Sequence, residues 1–192
     1  MAESPEQRKA ALRAEMRACI ASVPPARRAA ASQEICRRLL AQPVWQQARH
    51  VLIFVPLRDE PDIWPLTAAA KRSGKTVALP RFQPDTGGYA AAVVDDAARN
   101  LAPGKFGIRE PAPDCPAIAL NRLDLVLVPA LAFDWHGRRL GRGRGFYDRL
   151  LADVSGTTCG VALDEQLVAD IPVEPHDILL NCILTPSHWL ML

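Results

Sequence analysis

The sequence predicts an α/β fold with a doubly wound, mostly parallel sheet flanked by helices and an N-terminal helical pair. Short apolar runs alternate with helical patterns from residue 50 onwards, as in βαβ units. The runs 51–55 and 123–128 are apolar at nearly every position, which suits strands covered by helices on both faces. The first 42 residues instead carry the spacing of two amphipathic helices.

The chain has the composition of one globular domain, and we expect that domain to span 1–192. Of its 192 residues, 49% are hydrophobic and 23% are charged, enough apolar surface to exclude a disordered chain. No apolar run approaches the roughly 18 residues of a membrane span. The N-terminus lacks a basic start followed by an apolar stretch, so we expect a cytoplasmic protein without a membrane partner.

The first two elements are predicted from capping and periodicity. Ser4, Pro5 and Gln7 form a capping box with proline at the first helical position. Pro24 and Pro25 end this helix. A second helix is predicted over 26–42.

The remaining elements follow from short patterns. A helix over 62–72, ended by Gly74, and another over 147–153 are predicted from periodicity and stop signals. Long loops are predicted where proline and glycine concentrate, at 82–88 and 95–116. The predicted strands cover 50–55, 76–79, 89–94, 123–128 and 157–163.

The five cysteines and the charge exclude few functions. Because the cysteines are odd in number and scattered, we interpret them as mostly buried thiols, with a catalytic cysteine as the alternative. The net charge is +2, so charge alone does not indicate nucleic-acid binding.

Lys9, Arg13 and Arg17 recur every four residues, which makes a basic row on one helix face. That row is either an anion contact or a solvated face.

The densest chemical signal is the segment 134–149. It follows a predicted strand, contains a Gly-x-Gly-x-Gly loop at 141–145 and precedes a predicted helix. That order suits phosphate binding, because glycine amides and a helix N-terminus approach the anion. Arg139, Arg142 and Arg144 add charge, and Asp148 suits Mg²⁺. A flexible surface loop and an arginine-rich RNA-binding segment remain alternatives.

Four other residues are candidate functional residues, and each could instead have an ordinary structural role. Asp59 and Glu60 follow the first predicted strand, at the sheet edge where α/β proteins bind ligands. Arg81 follows the second strand in the same way. His176 is a candidate acid or base.

The glycine segment resembles the signature of the 5-formyltetrahydrofolate cyclo-ligase family. The matching run includes Leu127 to Asp134, then Gly137, and Arg139 to Asp148. The similarity extends over almost the entire chain and includes 107–111 and 172–177. The resemblance implies a doubly wound α/β fold and an enzyme that uses ATP and Mg²⁺. It implies conversion of 5-formyltetrahydrofolate to 5,10-methenyltetrahydrofolate, with phosphorylation of the formyl oxygen, ring closure and release of ADP and phosphate.

The resemblance also implies roles for individual residues. ATP is expected to contact Lys9, Arg13, Arg139, Leu140, Gly141, Arg142, Gly143, Arg144, Gly145, Phe146 and Tyr147. The folate substrate is expected to contact Val55, Glu60, Arg142, Gly143, Arg144, Gly145 and Phe146. Mg²⁺ is expected at Asp148 and Asp177. Trp135, Phe146 and Tyr147 are candidates for an aromatic wall, with core packing as the alternative.

The chain departs from the family pattern in three places. Phe146 replaces a tyrosine and Arg144 a glycine or lysine, while Asn181 and Thr185–Pro186 lie where acidic residues are common. Two other functions remain open: an ATP-using paralogue acting on another formylated or pterin-like substrate, and an RNA- or polyanion-binding protein. On the leading interpretation the partners are the two small substrates, without nucleic acid, and the protein is a monomer.

Overall fold

The computed structural model describes residues 4–95, 100–174 and 177–192, apart from the side chain of Phe106. His176, the candidate acid or base, lies outside the described residues.

Four helices precede or flank the first strands, and each begins with a proline. Proline is favourable there because the first helical N–H has no partner within the helix. Ser4 and Gln7 form the predicted capping box at the first helix. The helices are α1 (Pro5–Ser22), α2 (Pro25–Leu40), α3 (Pro43–Gln47), α4 (Pro65–Arg72) and, after the glycine loop, α5 (Phe146–Leu151).

An eight-stranded sheet forms the centre of the fold. Its order is β13-β12-β10-β7-β1-β2-β3-β6. The four pairs from β12 to β2 are parallel, and the pairs at both edges are antiparallel. The strands of this sheet are β1 (His50–Leu52), β2 (Thr76–Gln83), β3 (Gly88–Val93), β6 (Ala117–Ile118), β7 (Leu125–Val128), β10 (Thr157–Val161), β12 (Cys182–Leu184) and β13 (Trp189–Met191).

The remaining strands form two small sheets. They are β4 (Leu101–Pro103) with β5 (Arg109–Pro111), and β8 (Ala132–Asp134) with β9 (Arg139–Leu140) and β11 (Leu167–Val168).

The parallel strands reverse their direction of winding beside β1. From β1 the chain passes through α4 to β2 on one side, whereas β7 pairs with the opposite side of β1. Strands β10 and β12 then continue outward from β7. The connections leaving β1 and β7 therefore diverge and open a crevice at their carboxyl ends, the usual ligand position in such sheets.

Apolar side chains of the central strands alternate between two cores. On β7, Leu125 and Leu127 join the core formed with α2, α3 and α4. Val126 and Val128 join the opposite core, with Leu150 and Leu151 of α5. The sheet is therefore covered on both faces, as the continuous apolar runs predicted.

A third apolar cluster fixes the position of α1. Met16 and Ile20 of α1 pack against Leu131, Ala132 and Leu140 near β8 and β9. This packing stabilises α1 through burial of its apolar face. It also places the basic row of α1 beside the end of β9, where the glycine loop begins.

The structure corrects several predicted bounds. The strand expected over 50–55 ends at Leu52, and Val55 therefore lies in the following loop. The loop expected over 82–88 is a tight turn, because β2 extends to Gln83 and β3 begins at Gly88. The loop expected over 95–116 contains β4 and β5. The sequence pattern did not indicate α3 or the pair β12–β13.

Other predictions agree with the structure. Gly74 follows α4 with φ +68°, the left-handed conformation typical of a helix end. All five cysteines are free thiols, and all but Cys19 are buried. In the described parts of the chain, no helix combines the length and apolar character needed to cross a membrane.

Candidate active site

A cavity of about 710 Å³ lies at the crevice between the ends of β1 and β7. Phe54 and Val55 line it from the β1 side, and Pro129 and Ala130 line it from the β7 side. Every residue that the resemblance implies as a contact of ATP, folate or Mg²⁺ is among its lining residues: Lys9, Arg13, Val55, Glu60, Arg139, Leu140, Gly141, Arg142, Gly143, Arg144, Gly145, Phe146, Tyr147, Asp148 and Asp177. The fold thus brings together positions that are up to 168 residues apart.

Glu60 is a buried carboxylate in the loop after β1. One oxygen accepts the Leu57 backbone N–H at 3.0 Å, and the other accepts from Arg142 at 3.2 Å. Burial raises the pKa of Glu60 above its ordinary value and outweighs the lowering by Leu57 and Arg142. Because burying a charge is costly, N–H donors of a ligand would stabilise the Glu60 carboxylate further.

Arg142 joins the glycine loop to the acidic loop after β1. Its guanidinium donates to both Asp59 oxygens at 2.8 and 2.9 Å, and it also contacts Glu60. These contacts bring a cation of the predicted phosphate site next to a carboxylate of the predicted folate site. The two predicted subsites are therefore contiguous.

The glycine loop has a backbone that other residues adopt poorly. Gly143 has φ +95°, and Gly145, which precedes α5, has φ +63°. Arg13 of α1 donates from Nε to the carbonyl of Gly141 at 3.0 Å. Helix α1 therefore holds one end of the loop.

Arg139 and Asp148 form an ion pair across the loop. Arg139, on β9, donates to one oxygen of Asp148 in the first turn of α5. The Arg139 side chain is only 4% exposed, and its guanidinium lies 5.8 Å from the Tyr147 ring centroid. Burial raises the pKa of Tyr147, so its hydroxyl stays protonated at neutral pH.

Lys9 is a further buried cation of the cavity that is paired with carboxylates. Its ammonium group donates to Glu174 at 2.8 Å and to Asp177 at 2.7 Å. Burial lowers the pKa of Lys9, but the hydrogen bonds and charges of these carboxylates outweigh it and raise the pKa overall. The basic row therefore includes a buried, ion-paired ammonium group, while Arg17 lies at the cavity as well.

The aromatic wall of the cavity differs from the one predicted. Phe146 packs edge-on against Tyr89 at 5.1 Å and against Phe82 at 6.0 Å. Phe146 and Tyr147 line the cavity as expected. The suggestion for Trp135 was wrong, because this residue is 46% exposed, its ring packs against His188, and it is not among the lining residues of the cavity. Tyr89 lines the cavity beside Phe146.

Several other candidates have structural roles. Arg81 donates to the carbonyls of Ala112, Pro113 and Cys115 and so holds the chain after β5. Asn181 accepts from Thr158, and Thr185 donates to Asp164. These contacts position strands β10 and β12, and neither residue is among the cavity lining. Burial raises the pKa of the Cys36 thiol to about 11, which disfavours a reactive thiolate.

Sequence reasoning missed several lining residues, including Tyr89, Arg109 and Glu110. They lie in or beside segments that were expected to be long loops. The family resemblance included the run from Gly107 to Pro111, but it implied no role for these residues. Glu110 is positioned by a contact with β2, and no residue spacing in the sequence indicates that contact.

Two carboxylates of the cavity suit a magnesium ion that arrives with a nucleotide. Asp148 and Asp177 both line the cavity, and Mg²⁺ commonly uses one or two carboxylates together with phosphate oxygens. Among the described residues no group of three or more His, Cys, Asp and Glu side chains forms a metal site. The donor set therefore fits an ion shared with a phosphate ligand rather than a site built by the protein alone.

A buried sheet with a glycine-rich cavity at its switch point, lined by both arginines and carboxylates, defines an α/β ligand-binding protein. The model of the 5-formyltetrahydrofolate cyclo-ligase family matches residues 5–186. A 5-formyltetrahydrofolate cyclo-ligase of Mycolicibacterium smegmatis is 38% identical over 74% of this chain and 76% of its own. One of Escherichia coli is 36% identical over 81% and 87%.

A solved structure agrees with these relatives. The NMR structure of 5,10-methenyltetrahydrofolate synthetase from Aquifex aeolicus has a TM-score of 0.86 and 28% identity. That match covers 95% of this chain and 92% of the other. The chain belongs to the 5-formyltetrahydrofolate cyclo-ligase family, an ATP-dependent family of ligases, and is an enzyme of that kind.

Proposed function

We propose that the enzyme converts 5-formyltetrahydrofolate to 5,10-methenyltetrahydrofolate with ATP and Mg²⁺, releasing ADP and phosphate. The proposal rests mainly on the contact of Arg142 with Asp59 and Glu60. It supports a single cavity in which a phosphate-binding loop adjoins a folate-binding carboxylate.

The first step transfers the γ-phosphoryl group to the formyl oxygen. A new bond forms between that oxygen and phosphorus, while the bond from phosphorus to the ADP oxygen breaks. Such a transfer needs positioning and charge neutralisation rather than a covalent nucleophile. Arg13, Arg139 and the amides of the glycine loop are placed to neutralise the phosphoryl oxygens.

The second step closes the ring. The neighbouring folate nitrogen attacks the formyl carbon and loses its proton, and the phosphorylated oxygen leaves as inorganic phosphate. Glu60 orients the folate by accepting its N–H groups, because an ionised carboxylate only accepts hydrogen bonds. Phe146 and Tyr89 offer apolar ring surface to a planar ligand.

Asp148 and Asp177 would hold Mg²⁺, and the ion would supply positive charge that offsets the negative charge developing on the phosphoryl group during transfer. The protein itself contributes Arg139, which keeps Asp148 in position.

The contacts of the arginines disfavour the polyanion-binding alternative. Arg139 pairs with Asp148, and Arg142 pairs with Asp59 and Glu60. Arg138 pairs with Asp170 outside the cavity. Carboxylates interleaved with these cations would repel a long polyanion.

The test follows the conjugated methenyl product by its near-ultraviolet absorbance. Purified protein receives 5-formyltetrahydrofolate and Mg-ATP, and parallel reactions omit ATP or Mg²⁺. We expect product only in the complete mixture. Product formation without ATP, or no product from protein that binds Mg-ATP, would contradict the proposal.

A further inference from the structure

Glu110 is a buried carboxylate of the cavity with one oxygen fixed and one without a partner among the described residues. It is only 7% exposed and lines the cavity. Oε2 accepts the backbone N–H of Phe82 at 2.9 Å. Oε1 is buried without a hydrogen-bond partner in the described chain. Leaving a buried acceptor without a hydrogen bond is unfavourable.

The surrounding backbone holds the carboxylate in this position. Glu110 lies on β5, and the Phe82 N–H that anchors it belongs to β2. At Gly104 an added Cβ would lie 2.5 Å from Cγ of Glu110. The absence of a side chain at 104 therefore leaves the space that the carboxylate occupies.

Glu110 lines the cavity near Tyr89. Burial, together with the charge of Glu110, raises the pKa of Tyr89 above its ordinary value. Tyr89 packs against Phe146 in the aromatic wall. A carboxylate near the triphosphate would repel it, whereas a carboxylate beside ring surface suits a planar ligand with N–H donors.

We propose that Oε1 of Glu110 accepts a hydrogen bond from an N–H group of the folate substrate and so contributes to its recognition. This inference rests on the proposed function. It assigns to the substrate site a second buried carboxylate besides Glu60. The adenine amino group of ATP is also an N–H donor, and the test separates the two ligands.

The variant Glu110→Gln replaces the two acceptor oxygens by one oxygen and an amide NH₂. If the oxygen keeps the Phe82 N–H, the NH₂ group faces the ligand's own donor. We expect the Kd for 5-formyltetrahydrofolate to rise at least about tenfold, with the Kd for Mg-ATP essentially unchanged. The matched control Asp114→Asn removes one charge at an exposed position in the same segment and should change neither Kd.

Calorimetric titration of each protein with each ligand distinguishes the outcomes. A change in Mg-ATP affinity alone would assign Glu110 to adenine and overturn the inference. Unchanged affinities for both ligands would leave Glu110 a structural role only and would also overturn it. If the unaltered protein does not bind 5-formyltetrahydrofolate, the proposed function itself fails, and this assignment fails with it.

A second variant covers the case in which Glu110→Gln does not fold. Glu110→Asp keeps the negative charge but shortens the side chain by one methylene group, so its carboxylate cannot hold the Phe82 N–H and reach the ligand in the same way. We expect the Kd for 5-formyltetrahydrofolate to rise severalfold and the Kd for Mg-ATP to stay unchanged. An unchanged Kd for 5-formyltetrahydrofolate in Glu110→Asp would overturn the inference.

Discussion

At the scale of single residues, the cavity is held together by buried ion pairs. Arg139 with Asp148 and Lys9 with Glu174 and Asp177 satisfy charges that would be costly to bury alone. Each pair joins a cation predicted to meet phosphate with a carboxylate that suits a metal. A substitution in such a pair therefore affects both stability and function, and the two effects must be measured separately.

Substitution of Asp148 tests the predicted metal contact. Asp148→Asn should reduce kcat/KM about 100-fold, because it removes about 2.7 kcal/mol of charge stabilisation in the transition state. It should also lower the free energy of unfolding by about 1–3 kcal/mol, since Arg139 loses its charged partner. Turnover at a range of Mg²⁺ concentrations and denaturant unfolding measure the two effects.

The control for that substitution is Asp153→Asn, an exposed position just beyond α5. It should leave turnover and stability essentially unchanged. An unchanged Mg²⁺ dependence in Asp148→Asn would exclude this carboxylate from the metal site.

Substitution of Glu60 tests the folate contact. Glu60→Gln should raise the Kd for 5-formyltetrahydrofolate about 10- to 100-fold, because a hydrogen bond to a charged group is lost. Mg-ATP should bind as before. Equal weakening of both ligands would instead indicate damage to the fold, which thermal unfolding of the variant would reveal.

The raised pKa of Glu60 also predicts how stability depends on pH. Because burial raises this pKa above 4.5 in the folded chain, Glu60 holds its proton more tightly there than when unfolded. Its contribution to stability is therefore present at low pH and decreases as the pH rises from 4.5 through the folded pKa. Glu60→Gln lacks this titration. The free energy of unfolding of the variant minus that of the unaltered protein should therefore increase as the pH rises over that window. A difference that stays constant across a pH series of denaturant unfolding would contradict this account.

At the scale of elements, the glycine loop connects β9 to α5 through backbone conformations that favour glycine. Arg13 fixes the loop at the Gly141 carbonyl, and Gly143 adopts φ +95°. The shape of the loop therefore depends on the loop and on α1 together.

Gly143→Ala tests this shape. The alanine Cβ has room, with its nearest contact 3.6 Å away at Arg13, so the cost arises from the backbone. We expect a loss of about 1–2 kcal/mol in unfolding free energy and weaker binding of Mg-ATP. Gly88→Ala is the stability control, since its Cβ meets only Thr86 Oγ1 at 3.5 Å. Equal stability of the two variants would show that the loop is not held in this conformation.

At the scale of the whole molecule, the sequence predicted the fold better than the site. The parallel centre followed from the apolar runs at β1 and β7, because burial on both faces leaves a continuous pattern. The strands β12 and β13 were missed because they are three residues each and Pro186 lies between them. Edge elements of this length depend on pairing with the rest of the sheet, which no local pattern records.

The candidate site was predicted where it lies on a continuous motif and missed where it depends on contacts between distant elements. The loop 139–148 carries its glycines and arginines in one run, and all of it reaches the cavity. Glu110 is anchored by the Phe82 N–H, 28 residues away. No sequence pattern indicated the surroundings of Trp135, because they include the distant residue His188.

The central claim is that one cavity transfers a phosphoryl group directly from ATP to the formyl oxygen. It is tested most directly with 5-formyltetrahydrofolate labelled with ¹⁸O in the formyl group, in a reaction with Mg-ATP. Mass spectrometry of the released phosphate measures where the label goes. The account predicts one ¹⁸O atom in each phosphate released. Unlabelled phosphate, with the ¹⁸O recovered in water, would contradict it.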